Sequence, residues 1–279
     1  MRRVDPKVYT KEYYLTDCMG YEEFKESLGD RLELRFEEIL KYFTVTPDMN
    51  VLDIGCGRGE MVLYCAKKGA ICVGIDYSED AIKLAKLAQA KRAQELKKRM
   101  RFYTMDAKKL RFEKSSFDMV ILTDVVEHLY PEELEKMFQE IKRVLRKDGK
   151  LVIHTAPNKW FNDFGYKYYS YPLSSALVSL WNNFFKKSYP NIANPVNLRT
   201  DSHAIMHINE PTYFSLRNLY KKYGFEGKVI STNITAKKPE ISLKDVIFNF
   251  LVFLHPFSKR YPLNVFFGSD FISVLVNKK

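Results

Sequence analysis

Three carboxylates stand near the ends of the first three predicted strands of this 279-residue chain. Asp53 precedes a glycine-rich turn, Asp76 closes the next apolar run, and Asp106 follows the third. The carboxyl ends of parallel strands form one edge of an open sheet, and ligands bind at that edge. The spacing therefore predicts a single ligand site at which three acids converge.

The turn after the first strand has the spacing D-x-G-x-G-x-G, and its members are Asp53, Gly55, Cys56, Gly57, Arg58 and Gly59. Glycines let the main chain turn tightly and approach a ligand closely. A dinucleotide-binding turn needs G-x-G-x-x-G, whereas Glu60 stands where the last glycine belongs. A second carboxylate beside Asp53 disfavours a pyrophosphate. The turn indicates a ligand with cationic groups and no phosphate.

Helix and strand signals alternate over residues 31–155, which is typical of an α/β fold with a mostly parallel sheet. Strands are predicted over residues 50–54, 71–75, 101–104, 117–122 and 150–154. Helices are predicted over residues 31–43, 60–68, 79–98 and 131–146, the last ended by Asp148-Gly149. Later segments predicted are helices 211–223 and 241–254 and strands 225–232 and 270–276.

The alternation stops after residue 157, where Asn, Tyr, Phe, Ser and Pro become frequent. We therefore predict a single domain with its core over residues 31–157 and 206–279. Residues 1–30 would form an N-terminal lid, and residues 158–205 a helical, substrate-binding insertion after the fifth strand.

The composition is that of a globular protein, with 46% hydrophobic and 28% charged residues and a net charge of +11. Residues 158–279 hold 16 Lys and Arg against 7 Asp and Glu. This excess indicates an anionic partner, such as a phosphorylated substrate, a membrane surface or nucleic acid, or else ordinary solubility charge. The four cysteines form no CxxC pair, and no signal peptide is evident. We expect a cytoplasmic protein, with peripheral contact to an anionic membrane as an option.

Five segments together resemble the class I S-adenosylmethionine-dependent methyltransferases: VLDIGCGRGE, GIDYS, MDAKKL, FDMVILTDVVEHL and RVLRKDGKLVIHTAPN. The resemblance covers residues 40–157, with a looser match over 207–276, and extends to small-molecule, glycan-pathway and ubiquinone-type O-methyltransferases. It implies a Rossmann-like sheet, mostly parallel with the last strand antiparallel, and helices on both faces. It also implies S-adenosyl-L-methionine as the cofactor.

The resemblance implies a role for ten residues of these segments, each by its place in its motif. The methionine end would be held by Asp53, Gly55, Cys56, Gly57 and Gly59, the ribose by Asp76, the adenine by Tyr77, Asp106 and Ala107, and the methionine amine by Thr123.

A hydroxyl acceptor must lose a proton during methyl transfer, so a nearby base is expected. His207 is the first candidate because it directly precedes a helix that walls the acceptor pocket in similar enzymes. His154, at the end of the fifth strand, is expected to face the cleft as the second candidate, or else to be a structural histidine held by a main-chain carbonyl. Asp124 is the third candidate. Asp124, Glu127 and His128 have the spacing of one helical face. A comparable cluster is linked to magnesium in ubiquinone-pathway enzymes, but we interpret it here as ordering the loop, assign no metal, and expect activity to survive chelation.

The acceptor is expected to be a small molecule, a sugar or a lipid-linked group, methylated at oxygen and bound under the insertion. Insertion aromatics (Trp160, Tyr166, Tyr168 and Tyr169) could stack on a sugar and cations (Lys186, Lys187 and Arg199) could meet phosphate, unless the aromatics form the insertion's own core. The position after the fourth strand lacks the signatures of nucleic-acid-base and protein-arginine methyltransferases, so nucleic acid is an unlikely partner. An RNA- or protein-directed enzyme and a non-catalytic cofactor-binding scaffold remain as alternatives.

Two further segments have a predicted role at the surface of the molecule. Tyr14, in the N-terminal lid, is placed to cover the methyl donor or simply to dock the lid. Leu173, Leu177, Leu180, Trp181 and Phe184 recur at helical spacing and precede Lys186-Lys187. Such a stripe can lie in a membrane interface or pack over the acceptor pocket.

Overall fold

The computed structural model describes residues 4–185, 194–195, 206–236 and 242–278. These residues contain a seven-stranded sheet with the order β3-β2-β1-β4-β5-β7-β6. The strands are β1 (Asn50–Ile54), β2 (Ile71–Asp76), β3 (Met100–Thr104), β4 (Phe117–Thr123), β5 (Leu145–Thr155), β6 (Phe225–Thr232) and β7 (Asp270–Asn277). β1 to β5 run parallel, and β7 is antiparallel to both β5 and β6. The predicted fold class is confirmed.

Helices cover both faces of the sheet, as the parallel strands require because both of their faces are apolar. They are α1 (Lys11–Thr16), α2 (Tyr21–Ser27), α3 (Leu34–Leu40), α4 (Glu60–Lys67), α5 (Glu79–Ala90), α6 (Gln94–Lys98), α7 (Pro131–Val144), α8 (Tyr171–Phe185), α9 (Tyr213–Lys222), α10 (Leu243–Phe253) and α11 (Leu263–Phe267). One core joins the sheet to α7 and α9, and a second core joins it to α3 and α4.

Two predicted helix boundaries were wrong. The helix predicted over residues 79–98 is divided into α5 and α6, because the chain must reverse before β3. The side chain of Gln89 fixes that reversal by donating to the carbonyls of Lys97 (3.1 Å) and Met100 (2.7 Å). The predicted helix stop at Asp148-Gly149 instead lies inside β5. Leu145 already pairs with Phe117, and a register shift follows before the regular pairing of β4 with β5 resumes.

The N-terminal residues pack on the helices that follow β1 and β2, where a lid was predicted. The Ser78 hydroxyl donates to the carbonyl of Tyr9 (2.7 Å), and the Lys11 amide donates to Asp80 (3.0 Å). Phe24 is fully buried. The first 30 residues are therefore attached to the core along α4 and α5.

A helical cap, defined here as residues 158–185 and 242–267, covers the end of the sheet beyond β5. It contains a π-helix (Phe161–Ser170), α8, α10 and α11. Phe161 and Tyr166 pack with Val252 and Phe253 in a core of their own. No helix within the described part of the chain is long and apolar enough to cross a membrane.

Candidate active site

A cavity of about 260 Å³ lies at the carboxyl edge of the sheet, between the strand ends and the N-terminal lid. Its lining includes nine of the ten predicted cofactor residues: Asp53, Gly55, Cys56, Gly57, Asp76, Tyr77, Asp106, Ala107 and Thr123. Residues separated by up to 70 positions in the sequence therefore meet at one site, because parallel strands end on the same side.

Asp53 is buried in the wall of this cavity with an unsatisfied oxygen. Its Oδ1 has no hydrogen-bond partner among the described residues. Burial, and then the nearby carboxylates of Asp76 and Glu60, raise the pKa of Asp53 to about 8. A buried acceptor without a donor costs about 1–3 kcal/mol. A cationic N–H donor from a ligand would remove that cost.

Asp76 is also buried, but main-chain amides already hold both of its oxygens. Gly57 N donates to Oδ2 (3.0 Å) and Ser78 N donates to Oδ1 (2.9 Å). Burial raises the pKa of Asp76 to about 6, and these amides oppose the shift because they stabilise the charge. A carboxylate offers about four lone-pair sites, so Asp76 can still accept from two ligand hydroxyls.

The glycines of the turn serve two different purposes. Gly55 has a φ of 72°, and a Cβ there would lie 2.5 Å from Cγ2 of Val125. Gly59 has a φ of 87°, and a Cβ there would lie 2.9 Å from the ring of Phe102. Gly59 does not line the cavity, although we predicted a cofactor contact for it. It is required for the packing of the turn on β3.

Asp106 is the least buried of the three acids and is paired within the protein. Its Oδ1 accepts from Lys108 N (2.9 Å), and its Oδ2 lies 3.2 Å from Lys108 Nζ. The same ammonium donates to the buried Glu133 (2.7 Å). Beside it, the Tyr77 ring packs at 5.3 Å from the ring of Tyr9. This part of the lining therefore contains both an aromatic ring, that of Tyr77, and a carboxylate that can accept hydrogen bonds, that of Asp106.

Arg58 is a site residue that the sequence reasoning missed. It is buried, and its Nε donates to Glu60 (2.7 Å). Its guanidinium nitrogens donate to the carbonyls of Tyr14 (2.7 Å), Cys18 (3.4 Å) and Met19 (2.7 Å), all in the lid. The arginine between two turn glycines therefore joins the turn to the lid. A charged side chain inside a glycine-rich turn was the signal that could have identified it.

Tyr14 lies where the lid meets the turn. A Cβ on Gly57 would be 3.6 Å from Cε1 of Tyr14, so the tyrosine ring lies directly over the turn. Tyr14 is buried and lines the cavity. Its pKa is raised by burial and by the charge of Asp76. The ring thus closes the cavity above the main chain of Gly57.

Asp124 lines the cavity, and its main chain is in the left-handed region, with a φ of 55°. Its Oδ1 lies 2.6 Å from Nδ1 of His154, and its Oδ2 forms an ion pair with the buried Arg35. Both carboxylate oxygens therefore have strong partners inside the protein. The arrangement fixes the direction of the Asp124 carboxylate.

His154 does not face the cleft, contrary to our expectation. Its side chain is fully buried in β5 and is absent from the cavity lining. Burial lowers the pKa of His154. Its Nε2 has no hydrogen-bond partner among the described residues and lies 4.0 Å from Oδ1 of Asp270. His154 reaches the cavity only through Asp124.

His207 and His128 line the cavity together, with ring centroids 4.9 Å apart. Nδ1 of His128 lies 3.0 Å from both the carbonyl of Met206 and the hydroxyl of Tyr9. The main chain of the His207 segment is held by Asn209, whose amide donates to the Glu127 carbonyl (3.0 Å). The segment before α9 is thus fastened to the loop after β4.

The three side chains considered for metal binding turn towards different partners. Asp124 contacts His154, as described above, and His128 contacts Met206. Glu127 is buried and accepts from the hydroxyl of Thr155 (2.8 Å), and burial raises its pKa. No group of three metal-ligating side chains occurs within residues 4–185, 194–195, 206–236 and 242–278.

The insertion aromatics lie in the helical cap rather than around this cavity. Trp160 stacks on Phe266 at 5.4 Å, and the hydroxyl of Tyr169 donates to the carbonyl of Leu251 (2.9 Å). Tyr168 is exposed. None of residues 158–185 lines the cavity. Lys186, Lys187 and Arg199 lie outside the described residues, so their predicted contacts stay predictions.

The strand order, the glycine turn after β1 and the acids at the ends of β1 and β2 define a class I S-adenosylmethionine-dependent methyltransferase domain. The family comparison gives the same result, because residues 52–153 match the model of the methyltransferase domain family. The resemblance noted in the sequence is therefore confirmed.

Individual relatives agree in the domain and differ in what their names say they methylate. An ajmaline N-methyltransferase of Rauvolfia serpentina is 35% identical over 105 residues, which are 37% of this chain and 35% of that protein. A ubiquinone biosynthesis O-methyltransferase of Pelagibacter ubique is 28% identical over 125 residues, 43% of this chain and 49% of that protein. The chain thus spans less than half of the length of both relatives.

A solved structure supports the fold over most of the chain. A SAM-dependent methyltransferase from Methanosarcina mazei superposes with a TM-score of 0.53 at 20% identity, covering 86% of this chain and 96% of the other. At that identity the likeness concerns the fold alone.

The residues of the cavity fit S-adenosylmethionine. The unsatisfied Oδ1 of Asp53 is a buried acceptor in the cavity wall, and the cofactor carries an ammonium group that can donate to it. Asp76 retains acceptor capacity for ribose hydroxyls, and no cluster of basic side chains from the described residues forms a phosphate site in the lining. The cavity therefore suits a cationic nucleoside.

Proposed function

We propose that this protein transfers a methyl group from S-adenosylmethionine to a hydroxyl of a small-molecule, sugar or lipid-linked acceptor. One observation carries the proposal: His207 and Asp124 line the same cavity as Asp53 and Asp76. Proton-accepting groups and cofactor-binding groups thus meet at one place. When bound, the cofactor supplies an electrophilic methyl group on a sulfonium.

His207 is the residue best placed to accept the proton. Its segment is held in place by Asn209, whose side-chain amide also donates to the carbonyl of Val126 (3.2 Å). The neighbouring ring of His128 packs on it edge-on. A base that is fixed before the acceptor arrives avoids the cost of ordering it during the reaction.

Asp124 is better suited to orienting the acceptor than to removing its proton. Asp124 is already engaged at both carboxylate oxygens, by the ion pair with Arg35 and by the contact with His154. It can still accept a hydrogen bond from an incoming hydroxyl. We infer that His154 is a positioning residue, because it contacts Asp124 and does not reach the cavity.

The enclosure of the cavity supports a small acceptor group. Tyr9, Tyr13 and Tyr14 of the lid all contribute to its lining. A protein or RNA acceptor would have to present a single extended group through the lid. The N-methyltransferase relative supports one further candidate, an amine acceptor, which can start neutral and need no base.

The experiment is a screen with methyl-labelled donor and purified protein, with and without EDTA. The acceptors are nucleotide sugars, lipid-linked sugars, phenols, amines and transfer RNA. We expect label on a hydroxyl of a small or lipid-linked acceptor in both conditions. Label on transfer RNA alone would support an RNA-directed enzyme. Donor binding without transfer to any acceptor would support a scaffold.

A variant pair tests the base. His207→Ala and His207→Asn should both lower turnover by about 10²–10⁴-fold, because a hydroxyl must then ionise without help. Donor affinity should not change. The matched control is His255→Asn, since His255 belongs to the helical cap and does not line the cavity. Normal turnover in both His207 variants would exclude His207 as the base and favour an amine acceptor.

A further inference from the structure

Helix α10 carries an apolar stripe on its exposed face. The stripe consists of Leu243, Val246, Ile247 and Phe250, whose side chains are 43–75% exposed. These positions have the spacing i, i+3, i+4 and i+7, so they form one continuous face. Val252, on the opposite face, is buried in the core of the cap, together with Phe253 at the end of the helix. The helix is therefore apolar on both sides, and one side faces outward.

Other exposed apolar side chains adjoin the stripe. The ring of Phe257, itself exposed, lies 6.2 Å from the ring of Phe250. On α8, which packs beside α10, Leu180 and Phe184 are 55% and 80% exposed. Two of the residues that we predicted as a stripe on α8 are thus exposed, whereas Leu177 packs in the cap core. Clustered exposure of this kind marks an interaction surface rather than ordinary protein surface.

The charges around the stripe are positive. Residues 242–267 contain three cations, Lys244, Lys259 and Arg260, and a single acid, Asp245. The carboxylate of Asp245 is engaged at the helix start, where it accepts from the amide (2.9 Å) and hydroxyl (2.7 Å) of Ser242. Lys244 lies over the ring of Trp181 at 4.9 Å. Lys244 therefore lies on the helix that carries the stripe, and Lys259 and Arg260 follow that helix in the chain. The one acid among these residues is used within the helix.

We propose that the apolar stripe of α10 docks this protein on an anionic lipid surface. An amphipathic helix in a membrane interface buries its apolar face among the acyl chains and keeps its cations at the headgroups. An 11-residue helix is about 16 Å long, about half the thickness of the hydrocarbon core, so α10 lies in the interface and does not cross it.

The positive charges of residues 242–267 favour an anionic lipid surface over a second copy of the chain as the partner of the stripe. A second copy would bring the same three cations towards these three, and like charges facing each other oppose association. An anionic surface matches them instead. The docking does not depend on methyl transfer, because the stripe does not contribute to the cavity.

Vesicle co-sedimentation of the full chain tests the proposal without donor or acceptor. The probes are vesicles of phosphatidylglycerol mixed with phosphatidylcholine, and vesicles of phosphatidylcholine alone, each at low and high salt. We expect binding to the anionic vesicles at low salt and release at high salt. The double variant Lys259→Gln/Arg260→Gln should weaken binding by about 30-fold, from about 1 kcal/mol per basic residue at 1.4 kcal/mol per tenfold.

The apolar half is tested by Ile247→Gln/Phe250→Gln, which should lower binding by at least about tenfold. Its matched control is Leu87→Gln, an equally exposed leucine on α5, and the control for the cations is Lys86→Gln/Lys91→Gln. Neither control should change binding. Failure to bind anionic vesicles at low salt would overturn the proposal. So would self-association in ultracentrifugation that Ile247→Gln/Phe250→Gln abolishes, because the stripe would then be an interface between copies.

Discussion

The carboxyl edge of the sheet and the helical cap depart from an ordinary protein surface in opposite ways. At the sheet edge, Asp53 and Asp76 are acidic side chains that the fold buries. In the cap, Ile247 and Phe250 are apolar side chains that the fold exposes.

Each departure costs free energy in the isolated protein, and each cost disappears with a different partner. A buried acceptor needs a donor, so the sheet edge selects a ligand by hydrogen bonds and charge. An exposed apolar face is stabilised by contact with a nonpolar surface, so we expect the cap to bind its partner in proportion to the apolar area that the contact buries. The type of unsatisfied group therefore indicates the type of partner.

The largest effect is expected from removing the charge of Asp53. Asp53→Asn should weaken donor binding by about 100-fold, because an ammonium group loses a buried charged acceptor worth about 3 kcal/mol. The same variant should be more stable than the parent at pH 8, because the folded state no longer holds a buried carboxylate. Calorimetry and denaturant unfolding measure the two changes. Equal loss of binding and stability would mean that Asp53 is structural.

The raised pKa of Asp53 predicts that the protein releases a proton when the donor binds. In the free protein it is raised to about 8, so the carboxyl holds a proton at pH 7 that the unfolded chain has lost. Stability from this group therefore falls as pH rises towards 8. Donor binding at pH 7 should release that proton, so the binding enthalpy should depend on the buffer's ionisation enthalpy. Asp53→Asn should remove the dependence.

A smaller loss is expected at Asp76, whose oxygens also serve the main chain. Asp76→Ala should weaken donor binding by about 1–3 kcal/mol, because two ribose hydroxyls lose a charged acceptor. Isothermal titration of the folded variant measures the change, and Glu79→Ala, at an exposed acid of α5 that does not line the cavity, is the control. Unchanged affinity would remove Asp76 from the donor site.

The smallest effect is expected for a substitution in the apolar stripe of the cap, measured as the free energy of unfolding. Ile247→Gln should change the free energy of unfolding by no more than about 0.5 kcal/mol, because the side chain is exposed. Val252→Ala, on the buried face of the same helix, should cost about 2 kcal/mol. Denaturant unfolding separates the two. A large loss for Ile247→Gln would show that the stripe is already covered in the free protein.

The donor side of the site could be predicted from the sequence because its signals are local. The turn after β1 combines glycine spacing with an acid, and Asp76 closes an apolar strand. Sheet topology then brings the two together, which a parallel α/β pattern guarantees. The mostly parallel sheet and the antiparallel β7 followed from the same resemblance.

The missed features depend on contacts that sequence periodicity does not encode. Arg58 binds carbonyls about 40 residues away, and main-chain acceptors leave no trace in side-chain patterns. His154 was oriented wrongly because the last five residues of β5 are all buried, so no alternation indicates which side faces the cleft. In α10 an apolar sequence on both faces concealed the outward stripe.

Arg58 attaches the lid through main-chain carbonyls, which every residue type possesses. The three acceptors belong to Tyr14, Cys18 and Met19, so the attachment is indifferent to the side chains at those positions. Those same side chains, with Asp17, line the cavity. The lid can therefore exchange its inward-facing side chains without losing its anchor. The anchor and the lining of the cavity are therefore set by different atoms of the same lid residues.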